Sequence, residues 1–216
     1  MAESPGAFDA ARAAAWITAS ARLIGGAADR LTELDTAIGD GDHGRNLTRG
    51  FAAAAEKADG ADTPRGVLTG AGSALVSATG GASGPLFGTF LRRTAKALPD
   101  APVVGPDDLA DALAAGVAAV RELGGAADGD KTMVDALDPA VTALRGALAE
   151  GASLPAAVER AAEAARAGAE ATIPLVAHKG RASYLGERSA GHEDPGAAST
   201  ALLWSALAEA TGADDG

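Results

Sequence analysis

Residues 34–46, LDTAIGDGDHGRN, place three carboxylates, Asp35, Asp40 and Asp42, at i, i+5 and i+7. Asp35 falls in the last turn of an expected helix, where a negative charge meets the negative end of the dipole. Asp40 and Asp42 sit in a glycine turn that can fold back beside it. Carboxylates held together repel one another unless a cation neutralises them. An all-oxygen donor set suits a hard cation, Mg²⁺ or Ca²⁺. An EF-hand requires a glutamate at position 12 of its loop. The twelfth residue from Asp35 is Asn46 and from Asp40 is Phe51, so that reading fails. Mg²⁺ binds through a few carboxylates together with substrate phosphates, which makes a nucleotide its natural companion. An isolated D-G-D is usually a solvated turn. Here a third Asp precedes it, and His43, Gly44 and Asn46 follow where the next helix opens. A helix N-terminus holds phosphate well.

Two further segments could meet phosphate. TGGASGPLFGTF, 79–90, offers backbone N–H groups, the hydroxyls of Thr79 and Ser83, and no Cβ bulk at Gly80, Gly81 and Gly84. It is not a Walker A loop, because no G-K-[ST] follows, nor a Rossmann turn, because no strand precedes it. On its own it reads equally well as a close helix–helix turn. In DGDKTMVDA, 128–136, Asp130 suits an N-cap, and Lys131 reads either as a phosphate partner or, taken alone, as an ordinary surface lysine. His43, His178 and His192 lack zinc-ligand spacing, and no G-x-S-x-G elbow supports serine hydrolysis.

The elements that must position these residues read as helices. Alanine and leucine dominate, β-branched residues are sparse, and no period-2 alternation is sustained. Leu109, Leu113, Val117 and Val120 form one stripe on the clearest helix, 106–123, opened by Pro106, Asp107 and Asp108 and ended by Gly124-Gly125. Similar reasoning expects helices near 7–24, 26–38, 45–58, 64–79, 84–97, 132–149, 154–177 and 196–210. The stretch 179–196 reads as a long irregular loop, a length usually tied to function. Short connections and no repeat or linker predict an all-α fold, a single domain over 1–216.

Composition narrows the function. Eighteen Lys+Arg against 29 Asp+Glu leave a net charge of −11, which argues against nucleic acid and anionic membrane. With no Cys, thiol nucleophiles and Cys-ligated metals are excluded. The opening MAESPGAFDA lacks the pattern of a signal peptide, and no run suits a membrane span, so a cytoplasmic protein is expected. Glycine, 29 of 216 residues, is roughly twice its usual share. Aromatic residues are 3%, so the core must pack through close helix approach.

Taken together, LDTAIGDGDHGRNLTRGF (34–51), GGASGPLFGTF (80–90), GDKTMVDAL (129–137) and KGRASYLGERSAGHEDPGAAST (179–200) resemble the nucleotide-binding L-subunit (DhaL) family of dihydroxyacetone kinases. The resemblance implies an antiparallel eight-helix barrel with ADP or ATP at one end. It implies that Asp35, Asp40 and Asp42 hold two Mg²⁺ ions. His43, Gly44, Arg45, Asn46, Ala82, Ser83, Gly124, Met133, Arg181, Asp194, Pro195 and Gly196 would contact the nucleotide, with Met133 against the base and Asp194-Pro195-Gly196 capping the last helix. No further catalytic residue is implied. The family reading makes the chain a phosphotransferase that donates to dihydroxyacetone held on a separate K subunit. In the phosphotransferase-system version ADP stays bound and is recharged by a multiphosphoryl M subunit, and a homodimer is also admitted. Two alternatives stand beside it: an adaptor that binds a regulator, and the L domain of an ATP-dependent kinase for a related triose or tetrose. Gly41 and His178 depart from residues common in the family, alanine and arginine, without removing a proposed ligand.

Overall fold

The computed structural model describes residues 7–212. Of MAESPGAFDA, residues 1–6 lie outside the described residues. Among those described, nine α-helices carry the fold: α1 Ala10–Gly26, α2 Ala28–Ile38, α3 His43–Ala58, α4 Pro64–Ala78, α5 Ser83–Ala97, α6 Pro106–Gly124, α7 Val134–Ala149, α8 Leu154–Ala171 and α9 Pro195–Gly212. Helix α1 packs on α3, α3 on α4, and so on through α9, which returns to α1. Eight helices therefore close a ring, and α2 lies outside it, packed on α3 and α9. That is the eight-helix barrel implied above, and it explains why the sequence shows nine helical segments.

The core fills the ring. Trp16, Ile17, Phe51, Leu68, Phe87, Phe90, Leu113, Leu137, Leu144, Leu203 and Trp204 are buried, together with many alanines. Small residues let the helices approach closely, so few rings are needed to fill the interior. The 109/113/117/120 stripe is buried along its length, and Gly125 ends α6 in the left-handed conformation (φ 56°).

The fold is all-α as expected; the sheet among the described residues is a two-residue pairing of β1 Phe8–Asp9, antiparallel, with β2 Val103–Val104. Three expectations need correction. Helix α8 stops at Ala171 rather than near 177, because Pro174 has no N–H for the helix and disfavours helical backbone at Ile173. The stretch 179–196 contains a 3₁₀ helix, Arg181–Ser189, kinked at Gly186 (φ 56°). Asp130 does not cap α7. Its carboxylate accepts from the Ala127 N–H (2.8 Å), while Asp135 accepts from the N–H groups of Gly129 and Thr132 (2.6 and 2.8 Å). Among the described residues, no helix is long and apolar enough to cross a membrane.

Candidate functional site

Around the ring, chain direction alternates. One end therefore collects the N-termini of α3, α5, α7 and α9 and the C-termini of α4, α6 and α8. At the opposite end three of the four helix starts carry a side-chain cap, with Asp9 accepting from Arg12 N–H, Thr63 from Gly66 N–H and Ser153 from Ala156 N–H, while α6 starts at Gly105 without one. At the site end α3 and α5 have no side-chain cap of their own and leave N–H groups and a partial positive charge at this end, whereas in α7 the Val134 N–H goes to Thr132 Oγ1 (3.1 Å) and the next two N–H groups to the Thr132 and Met133 carbonyls.

This end holds a cavity of about 300 Å³. It is lined by Asp35, Asp40, Asp42, His43, Ala82, Ser83, Gly124, Met133, Arg181, Asp194, Pro195 and Gly196. Three expected site residues stand outside the lining. Gly44 is pressed against α2, where a Cβ would lie 2.0 Å from the Ala28 carbonyl. Arg45 is exposed and donates to the Gly41 carbonyl (3.3 Å). The Asn46 side-chain oxygen accepts from Arg49 (2.9 Å). Asn46 N–H already returns to the Asp42 carbonyl (2.9 Å), so the N–H groups of Gly44 and Arg45 have no acceptor within α3.

The carboxylates do come together: one oxygen from each of Asp35, Asp40 and Asp42 lies within 4.8 Å of the others. Asp35 is buried at the unfavourable end of α2, and tertiary structure compensates. Its Oδ2 accepts from the N–H groups of Asp42 (2.8 Å) and His43 (3.1 Å), the positive end of α3. Its Oδ1 faces Gly39, where a Cβ would sit 2.1 Å away. Gly41 turns the chain at φ 71°. Asp40 pairs with Arg181 Nε at 2.9 Å. The donors are all oxygen and one oxygen of Asp35 remains clear of its backbone bonds, so the set fits a hard divalent cation.

His43 ties three elements together. Its Nε2 lies 2.9 Å from Ser199 Oγ and its Nδ1 3.1 Å from Ser83 Oγ. Ser199 donates its proton to the Pro195 carbonyl (2.9 Å), which assigns the Nε2–H tautomer, with Ser83 donating to Nδ1. Burial pushes the imidazole below its usual pKa, against the opposing pull of Asp35, the Pro195 carbonyl and Asp42. The ring is a neutral clamp that holds Ser83 at the start of α5.

Asp194 caps α9, accepting from Ala197 N–H (2.8 Å) as expected. Burial pushes its carboxyl up to about 7; the Ala197 N–H and Lys131 act against the rise and Asp135 adds to it. Lys131 is the largest departure from the sequence reading. It is 1% exposed, not a surface lysine, and its Nζ donates to the carbonyls of Thr172 (2.9 Å), Leu175 (3.0 Å) and His192 (2.5 Å). Burial lowers its pKa, opposed by Asp194. Leu86, Phe87, Val120 and Val134 add an apolar wall that sequence motifs did not mark. They lie on core stripes, so only their position at the ring's end sets them apart.

Several known proteins are similar to this chain. Residues 37–209 match the family described as the DAK2 domain. The chain is 43% identical over 195 residues to the ADP-binding subunit DhaL of the PEP-dependent dihydroxyacetone kinase of Escherichia coli strain K12, covering 89% of this chain and 93% of that protein. It is 42% identical to L-erythrulose 1-kinase of Mycolicibacterium smegmatis, covering 83% of this chain and 32% of that enzyme. Among solved structures it is similar to the C. freundii dihydroxyacetone kinase in complex with AMP-PNP and Mg²⁺. The TM-score is 0.68 and the identity 30%, over 91% of this chain and 33% of that one.

Proposed function

The chain belongs to the DAK2 domain family, and from that premise we propose that it is the nucleotide-binding, phosphoryl-donating subunit of a dihydroxyacetone kinase. The observation that carries the reading is the convergence of the Asp35/Asp40/Asp42 cluster with the uncapped N-termini of α3 and α5 on one cavity. A similar chain is described with AMP-PNP and Mg²⁺, which supports the same ligand class here. Two Mg²⁺ ions fit a three-carboxylate set that also meets phosphate.

Bound Mg²⁺ would neutralise charge on the transferring phosphoryl group. The chain's own part is to bind and orient. Asp35 is held through Oδ2 by the N–H groups of Asp42 and His43, which leaves Oδ1 for the cation. The N–H groups of Gly44 and Arg45, with the first turn of α5, supply fixed donors for phosphate oxygens, a preorganised field that needs no rearrangement during transfer. His43 places the Ser83 hydroxyl among them. Arg181, which pairs with Asp40, would be the guanidinium at hand for the phosphates once Asp40 held a cation. Met133, Leu86 and Val120 form the apolar, polarisable side for a base. No general base is needed on this chain when the acceptor hydroxyl belongs to a substrate held by a K subunit.

The DhaL relatives of E. coli, Listeria innocua and Lactococcus lactis are named PEP- or PTS-dependent, which supports bound ADP recharged in place by an M subunit. The M. smegmatis relative supports a tetrulose as a second acceptor. Calorimetry with Mg-ADP tests the site: we expect binding to the intact chain and at least a roughly tenfold loss in Asp40→Ala. No binding, or binding untouched by Asp40→Ala, overturns the reading. A transfer assay with a K subunit and either dihydroxyacetone or erythrulose reads out the acceptor. Nucleotide binding without transfer to either supports the adaptor alternative.

A further inference from the structure

Lys131 donates into a cage made only of backbone. Four carbonyl oxygens surround Nζ: Thr172, Leu175 and His192 at 2.5–3.0 Å and Ile173 at 3.4 Å. Three N–H protons distributed over four carbonyls is the coordination a small monovalent cation would receive, supplied here by a tethered ammonium. The backbone beneath it is unusual. Lys131 has φ 62°, the one non-glycine residue with positive φ among those described, and Asp135 holds this turn through Gly129 N–H and Thr132 N–H. A β-carbon in that conformation is disfavoured, so the placement must be stabilised by what the side chain reaches.

What it reaches stands behind one wall of the cavity, which Lys131 itself also lines. Thr172 Oγ1 accepts from Asp194 N–H (2.9 Å), and the Ile173 carbonyl accepts from Gly191 N–H (2.7 Å). The turn after α8 and the 191–194 segment are thus bound to each other, and both are bound to Lys131. Asp194, Pro195 and Gly196 continue directly into the cavity lining and α9, with Gly196 beside Met133. We propose that Lys131 is a positioning residue, an internal cation that draws these two segments together and sets the Asp194–Gly196 wall against Met133, rather than a ligand for phosphate. This rests on the reading of the cavity as a Mg-nucleotide site.

Lys131→Ala keeps the Cβ, and hence the same backbone penalty, while removing the stem and the ammonium. We expect the variant to bind Mg-ADP roughly tenfold or more weakly. We expect millimolar propylammonium, which replaces the missing atoms, to restore most of the affinity. It should not change the intact chain, and tetramethylammonium, too large for the cage, should restore nothing. Undiminished binding, or a loss that propylammonium does not reverse, overturns the proposal. A second measurement needs no variant. In the intact chain labelled with ¹⁵N-lysine, the Lys131 ammonium protons should exchange slowly with water, and the Nζ resonance should stay unmoved when Mg-ADP is added. A large displacement with coupling to ³¹P would make Lys131 a phosphate ligand and overturn the proposal. Failure of the intact chain to bind Mg-ADP at all would instead count against the proposed nucleotide site, leaving the exchange result to be read separately.

Discussion

Asp194 shows how burial and function meet in one side chain. It caps α9, stands at the cavity wall and titrates near neutrality because burial disfavours its anion. Its folded pKa, about 7, lies above the ordinary carboxylate value of 3.8. Between those values the folded state binds more protons than the unfolded one. The contribution to stability is therefore present in acid and is lost as pH rises through 7, with a slope of at most about 1.4 kcal/mol per pH unit. Asp194→Asn removes the titration but keeps a side-chain acceptor for the cap. Melting temperatures at pH 5 and pH 8 should show the intact chain's advantage over the variant shrinking at the higher pH. An unchanged difference would mean that Asp194 titrates in its usual range. His43 works differently: lowered by burial and held by two serines, it stays neutral where nucleotide would bind.

At the scale of elements, glycine decides how closely helices approach. On α8, a Cβ at Gly168 would lie 2.2 Å from the Asp135 carbonyl, on the first turn of α7. That carbonyl is backbone and cannot yield without moving the turn that holds Lys131. Gly168→Ala should cost about 1–3 kcal/mol, and more if α7 shifts, measured as a lower denaturant midpoint. A Cβ at Gly146, within α7, would meet nothing within 4 Å, and the backbone there is ordinary helix. Gly146→Ala should therefore raise the midpoint, by about 0.5–1 kcal/mol. The same chemical change thus acts with opposite sign at two positions on neighbouring helices. A common sign at both would show that close approach is not what α8 requires of Gly168.

For the molecule as a whole, the ring's alternation matters more than its net charge. A chain of −11 binding an anionic nucleotide is an apparent contradiction. It is resolved locally by four helix N-termini at one end, by Arg181 and by the cations that the Asp cluster would hold. The cluster is already partly compensated without metal, since Asp35 takes two N–H bonds and Asp40 pairs with Arg181. Mg²⁺ alone should therefore move the melting temperature little in nucleotide-free protein. Mg-ADP at 100 times its Kd should add about 2.7 kcal/mol, roughly 5–10 °C for a chain of this size. Scanning calorimetry with Mg²⁺, with Mg-ADP and with excess chelator separates the two. An equal shift from Mg²⁺ alone would mean that the carboxylates strain the fold until metal arrives.

Much of the fold and site was legible because it is written locally. Helix starts at Pro64 and Pro106, the end of α6 at Gly125 and the buried 109–120 stripe depend on neighbours within a few turns. So does the D-x₄-D-x-D turn, whose spacing alone brings the carboxylates together. Lys131 was not legible, because its four carbonyls lie more than 40 residues away in sequence. Nor did local pattern distinguish Leu86, Phe87 and Val120 from other core residues. The sequence by itself determined the helices, the acidic turn and the glycine-rich turns, since these follow from short-range sterics and charge spacing. Only the tertiary structure decided that alternate helix N-termini meet at one end, that Asp35 is held by α3, and that a lysine at the cavity donates to backbone. Each of those depends on which distant groups closure of the ring brings within hydrogen-bonding reach.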